Sequence, residues 1–148
     1  MLAPPLGWEL ASQARNNDSL VLHLALGKTS ALLEGDAEKK IERLLSGEDP
    51  QADLLKVGHH GSASSTTAEL LSAAHPDFAI ISVGGRNSFG HPRMEVLDRL
   101  ARAHVSTFRT DTTGAVHFFI WMEIRSRPPR FTERLEIGNR PPLTDCLL

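Results

Sequence analysis

In Lys56-Val57-Gly58-His59-His60-Gly61-Ser62, two adjacent histidines stand between glycines directly after an apolar run. The glycines strip side-chain bulk from around two imidazoles, which serves no core but suits a place that a ligand must approach. Two other positions with chemical potential punctuate the chain in the same way. Asp36 follows the stretch Ser30–Leu33, and Asn87 and His91 lie in the glycine-rich loop after Phe78–Val83. Carboxylate and imidazole are the donors that suit zinc or manganese, and a carboxylate can bridge two ions. A bridged pair of divalent ions activates water and clamps phosphoryl or acyl oxygens.

Each position also has a plainer reading. Gly35-Asp36 makes a good turn or helix N-cap, and a histidine before Pro92 can simply cap a helix. His23 and His117 in strands, His75 before a proline and His104 at a helix end read as structural or exposed. Coincidence of place favours chemistry: Asp36, the His59-His60 pair and His91 all follow consecutive strands.

Those strands come from the hydrophobic period. Strand patterns fall near 19–26, 30–34, 53–57, 78–83, 105–109 and 115–121, and helical patterns near 37–46, 66–74 and 92–103. Gly27-Lys28 turns a hairpin, Thr66-x-x-Glu69 reads as a capping box, and Pro92 suits a first helical position. Phe78–Val83, nearly all apolar, is expected at the centre of the sheet. The last two strands are expected to flank a turn at Asp111–Gly114. Strands alternating with helices imply a layered α/β sheet, whose sites form at the C-terminal strand ends. Residues 1–122 therefore read as the ordered domain, and 123–148, with four prolines and scattered charge, as a loosely ordered tail.

Composition narrows the function classes. The chain has 148 residues, 41% hydrophobic and 23% charged, with a net charge of −2, so no basic field argues for nucleic acid. A single cysteine, Cys146, excludes an internal disulfide and a thiolate metal cluster. No apolar run approaches the roughly 20 residues that span a bilayer, and no signal-peptide pattern opens the chain. It reads as soluble.

The strings NNDSLVLHLALGKTSALLEGDAE, ADLLKVGHHGS, ISVGGRNSFGHP and FRTDTTGAV, in this order and spacing, resemble the C-terminal half of the metallo-β-lactamase-like domain of ComEC-type DNA-uptake proteins. The resemblance runs from about Leu2 to about Phe119. It implies an αββα sandwich of which this chain supplies the second half, with a site for two zinc or manganese ions at the sheet edge. By that likeness Asp36 matches the bridging aspartate and His60 a terminal metal ligand. His59 resembles a catalytic or supporting histidine, and Asn87 and His91 line the substrate side. It implies DNA as substrate and a bacterial inner-membrane protein whose channel is formed elsewhere in the polypeptide.

One departure matters as much. Such domains open with an HxHxDH or HxDxDH motif, which supplies most of the metal ligands, and this sequence contains none. The expectation is a metal-dependent phosphodiesterase or nuclease segment, inactive without the half that carries the motif. Two alternatives stand beside it. One is another phosphodiester hydrolase of the superfamily, of the phosphocholine-esterase kind. The other is a non-catalytic module that binds DNA or a partner, with Arg86, Arg93, Arg99 and Arg102 touching phosphates.

Overall fold

The computed structural model describes residues 1–9, 12–122 and 133–137. Strands β1 (Leu22–Leu26) and β2 (Thr29–Leu33) form an antiparallel hairpin around Gly27-Lys28. Gly27 takes φ +61°, as a two-residue hairpin turn with glycine first requires. From β2 onward the sheet is parallel, through β3 (Leu54–Lys56), β4 (Phe78–Ile81) and β5 (Ser106–Arg109). The spatial order β1-β2-β3-β4-β5 follows the sequence. Helix α1 (Lys39–Leu45) links β2 to β3, α2 (Ala68–Ala74) links β3 to β4, and α3 (Met94–Arg102) links β4 to β5. Right-handed crossovers between strands laid in sequence order put all three helices on one face.

The core forms on that face. Leu32, Leu55, Ala79 and Ile81 of the sheet are fully buried with Ile41, Leu45, Leu70, Val96 and Leu100 of the helices. Side chains alternate across a strand, so Leu22, Leu24, Ala31, Leu33, Leu54, Phe78, Ile80 and Phe108 share the opposite face. These are only half-buried or exposed, Leu24 being 52% exposed. The mixed α/β architecture agrees with the sequence reading.

Several local expectations are corrected. The middle strand is β3, and β4 lies between β3 and β5. Thr67, not Thr66, caps α2, its Oγ1 accepting the Leu70 N–H at 3.3 Å. Thr66 is diverted because its own N–H donates to the buried Glu42 carboxylate, at a φ of +56°. Pro92 stays outside α3, whose N-cap is Arg93. The expected turn at 111–114 is a one-turn helix, α4 (Thr110–Thr113), ended by Gly114. Strand β6 (Phe118–Met122) then leaves the main sheet and pairs with β7 (Glu133–Ile137) in a separate ribbon. Phe118 crosses onto the open face, edge-on to Phe78 and Phe108 at 5.8 and 5.7 Å. Apart from β7, the segment read as a loosely ordered tail lies outside the described residues.

Candidate functional site

The parallel strands deliver their C-terminal ends to one edge. There β2 gives way to Glu34-Gly35-Asp36, β3 to Gly58–Gly61, β4 to Ser82 and the loop through His91, and β5 to Thr110. The first two segments are tied together where the His59 N–H donates to the Gly35 carbonyl at 2.9 Å.

The histidines do not alternate as strand residues would. His59 (φ +44°) and His60 (φ +54°) are both left-handed, and Gly61 follows at +82°. A non-glycine residue in this region costs about 1–3 kcal/mol and persists only where its surroundings hold it. Here they do. The Gly58 N–H donates to Glu34 Oε2 at 3.0 Å, the Ser62 N–H to the His59 carbonyl at 2.9 Å, and the Arg93 N–H to the Gly61 carbonyl at 2.9 Å. Gly58 is glycine for want of room, since a Cβ there would lie 3.0 Å from Glu34 Oε2 and 3.1 Å from the Ala37 carbonyl.

This conformation sends the two rings to different partners. His60 Nδ1 lies 2.6 Å from the Ser82 carbonyl, and its Nε2 lies 3.6 Å from Asp36 Oδ1. A carbonyl can only accept, so Nδ1 carries a proton, and Nε2 faces the carboxylate as an acceptor when the ring is neutral and as a donor when it is protonated. His59 turns instead to Glu38, with Nδ1 at 3.4 Å from Oε1 but without a hydrogen bond. Its ring lies edge-on to His91 at 5.7 Å. Ser62 Oγ pairs with Ser64 Oγ at 3.0 Å.

Asn87 braces its loop with its whole amide. Nδ2 donates to the Gly84 and His91 carbonyls at 2.9 and 2.8 Å, and Oδ1 accepts the His91 N–H at 2.8 Å. His60, Ser82, Asn87, Phe89, His91 and Thr110 line a cleft of about 300 Å³. A larger cavity of about 630 Å³ opens near His75 and His104, before the starts of β4 and β5. Arg99 and Arg102 line it but none of the expected metal or catalytic residues do, so the smaller cleft is the candidate. Among the arginines, Arg99 is committed elsewhere, its Nη2 donating to the Ser65 carbonyl at 2.8 Å. Arg102 lines the larger cavity, and Arg86 and Arg93 stay with the cleft loop.

Electrostatics follow from burial. The fully buried Glu34 has its carboxyl pushed well up by desolvation and by Glu42, against the Gly58 N–H and Lys56. Burial also raises the Glu38 carboxyl, but hydrogen bonds from Ser64 and Asn16 and the nearby His59 outweigh it and hold it below the ordinary value. Burial lowers the Lys56 ammonium, opposed by Asp36 and Glu34. Desolvation, then His59, Arg93 and His60, lowers His91.

Asp36 and His60 fit a shared divalent ion. The gap between their facing acceptors matches two ligands about 2 Å from one ion, and the Nδ1–H bond to a carbonyl is the usual support for a metal-binding imidazole. Two donors fall short of a zinc site, however, and among the described residues no group of three histidine, cysteine or acidic side chains could hold a metal. The sequence reading missed Glu38, Lys56 and the Ser82 carbonyl. The alternation Glu34-x-Asp36-x-Glu38 was the one available signal for Glu38.

The fold and site thus define an α/β protein with a histidine–carboxylate cluster at the C-terminal edge of a parallel sheet. No protein-family model matches the chain. It is 42% identical over 107 residues to ComE operon protein 3 of Bacillus subtilis, covering 71% of this chain and 14% of that protein. It is 39% identical over 128 residues to Recombination protein 2 of Haemophilus influenzae, covering 86% and 15%. It is 34% identical over 106 residues to Competence protein ComA of Neisseria gonorrhoeae, covering 70% and 15%. The chain is therefore related, over most of its length, to a segment of proteins named for competence and recombination, and spans about one-seventh of them. No helix among the described residues is long and apolar enough to cross a membrane.

Proposed function

We propose that this chain is the second half of a metallo-β-lactamase-like αββα domain that hydrolyses phosphodiester bonds of DNA during its uptake in competence. The observation that carries the reading is the pair of acceptors, His60 Nε2 and Asp36 Oδ1, facing each other at 3.6 Å. A neutral imidazole and a carboxylate so placed offer two donors to one divalent ion. The names of the relatives supply the setting, and the half-exposed apolar sheet face is where the first half of the domain packs. That half provides the remaining ligands, and a membrane channel belongs to another region of the same polypeptide. Bound zinc or manganese supplies an activated water and a clamp on phosphate oxygens. Asp36 and His60 would hold the ion, while His59, beside Glu38, would move a proton at the reacting phosphate. Asn87 and His91 shape the substrate wall.

The test is cleavage of labelled DNA by the full-length protein, its Asp36→Ala variant and the 148-residue chain, each with Mn²⁺ or Zn²⁺. The full-length protein should cleave, the variant should lose more than about 100-fold, and the chain alone should show little turnover. Undiminished cleavage by the Asp36→Ala variant would sink the metal reading. Robust turnover by the chain alone would sink the half-domain reading.

A further inference from the structure

We propose that Phe89 is a stacking platform for a nucleobase of single-stranded nucleic acid entering the cleft, with Arg86 and Arg93 holding the adjoining phosphates. The proposal rests on the nucleic-acid reading above and names the form of substrate. An isolated exposed apolar side chain needs no explanation, but Phe89 is 70% exposed and lies beside a second ring at the cleft. One side of its ring stacks on His91, with centroids 5.9 Å apart and planes 18° from parallel. The loop beneath is braced by the three Asn87 hydrogen bonds to Gly84 and His91. An exposed aromatic ring lining a cleft is what a base needs, since every base has a π-face to stack on it.

The charge around it suits a polyanion. The ten residues Gly84–Arg93 contain two arginines and a histidine and no carboxylate. A Cβ on Gly90 would lie 3.6 Å from Arg93 Nη1, in ordinary contact, which places the guanidinium over the loop that carries Phe89. Phe89 and His60 line the same cleft, which sets a stacked base beside the candidate metal pair. A duplex keeps its bases in the stack and offers no face to Phe89; a single strand does.

Fluorescence anisotropy of the chain with a labelled oligothymidine and an abasic strand of equal length separates base from backbone. The chain should bind the oligothymidine roughly tenfold or more tightly than the abasic strand. Phe89→Ala should erase that margin without changing abasic binding, and Phe89→Trp should keep it, with tryptophan emission quenched by the base-bearing strand alone. Arg86→Ala and Arg93→Ala should weaken both strands alike and reduce the salt dependence. Equal affinity of the chain for the two strands, or an unchanged margin in Phe89→Ala, overturns the platform and leaves the proposed hydrolase standing. Failure to bind either strand overturns the platform and removes nucleic acid from the proposed function as well.

Discussion

The His60 Nδ1–H donates to the Ser82 carbonyl at 2.6 Å, which orients the ring so that the opposite nitrogen faces Asp36. His59, its neighbour in the chain, is turned to Glu38 and His91. Adjacent residues thus have separate surroundings. In the full-length protein His60→Ala should lose bound metal, whereas His59→Ala should keep metal and lose most of its turnover. Metal content by elemental analysis, set against cleavage rate, checks this. Equal metal loss in both variants would reject the division.

Gly61 joins the histidine turn to the loop before α3. A Cβ at this position would meet Pro92 Cβ at 2.6 Å, on a backbone at φ +82°. Gly61→Ala should therefore destabilise the chain by about 1–3 kcal/mol or more, through strain and overpacking together. Urea denaturation measures it. A variant as stable as the native chain would show that the two loops can part freely.

Glu42 is buried and accepts the N–H groups of both Thr66 and Thr67, ahead of α2. Removing its carboxylate strands one buried and one half-buried donor, the buried one at about 1–3 kcal/mol. Glu42→Ala should cost at least about 2 kcal/mol in chemical denaturation and raise hydrogen exchange at the start of α2. A loss well below that would mean that water replaces the carboxylate.

His91 is a base whose pKa falls on folding, mainly through desolvation and then through His59, Arg93 and His60. Neutral His91 favours the folded chain, so this contribution is fully present above about pH 6.5 and is lost as pH falls through the lower folded value. An NMR titration should place its midpoint below the ordinary imidazole value. Arg93→Ala should move that midpoint upward by removing one of the charges. A native midpoint at or above the ordinary value contradicts this environment.

The positions of Asp36, His59, His60, Asn87 and His91 at strand ends were legible in the sequence, because short apolar runs stopped by glycine are local signals. So was their gathering at one edge, because successive right-handed βαβ units point every parallel strand the same way. The neighbourhood of Glu38 was not legible, since it depends on how α1 enters against the histidine turn. Nor was the cap of α2, where Thr67 replaced Thr66 only because Glu42, 24 residues earlier, captured the Thr66 N–H. The departure of β6 from the sheet likewise depended on pairing with distant β7. The sequence by itself determined that Asp36, His59, His60, Asn87 and His91 stand at the C-terminal strand ends. Tertiary structure decided which imidazole faces which carboxylate, because that follows from three successive left-handed residues, held by Glu34, Gly35 and Arg93 from outside the motif.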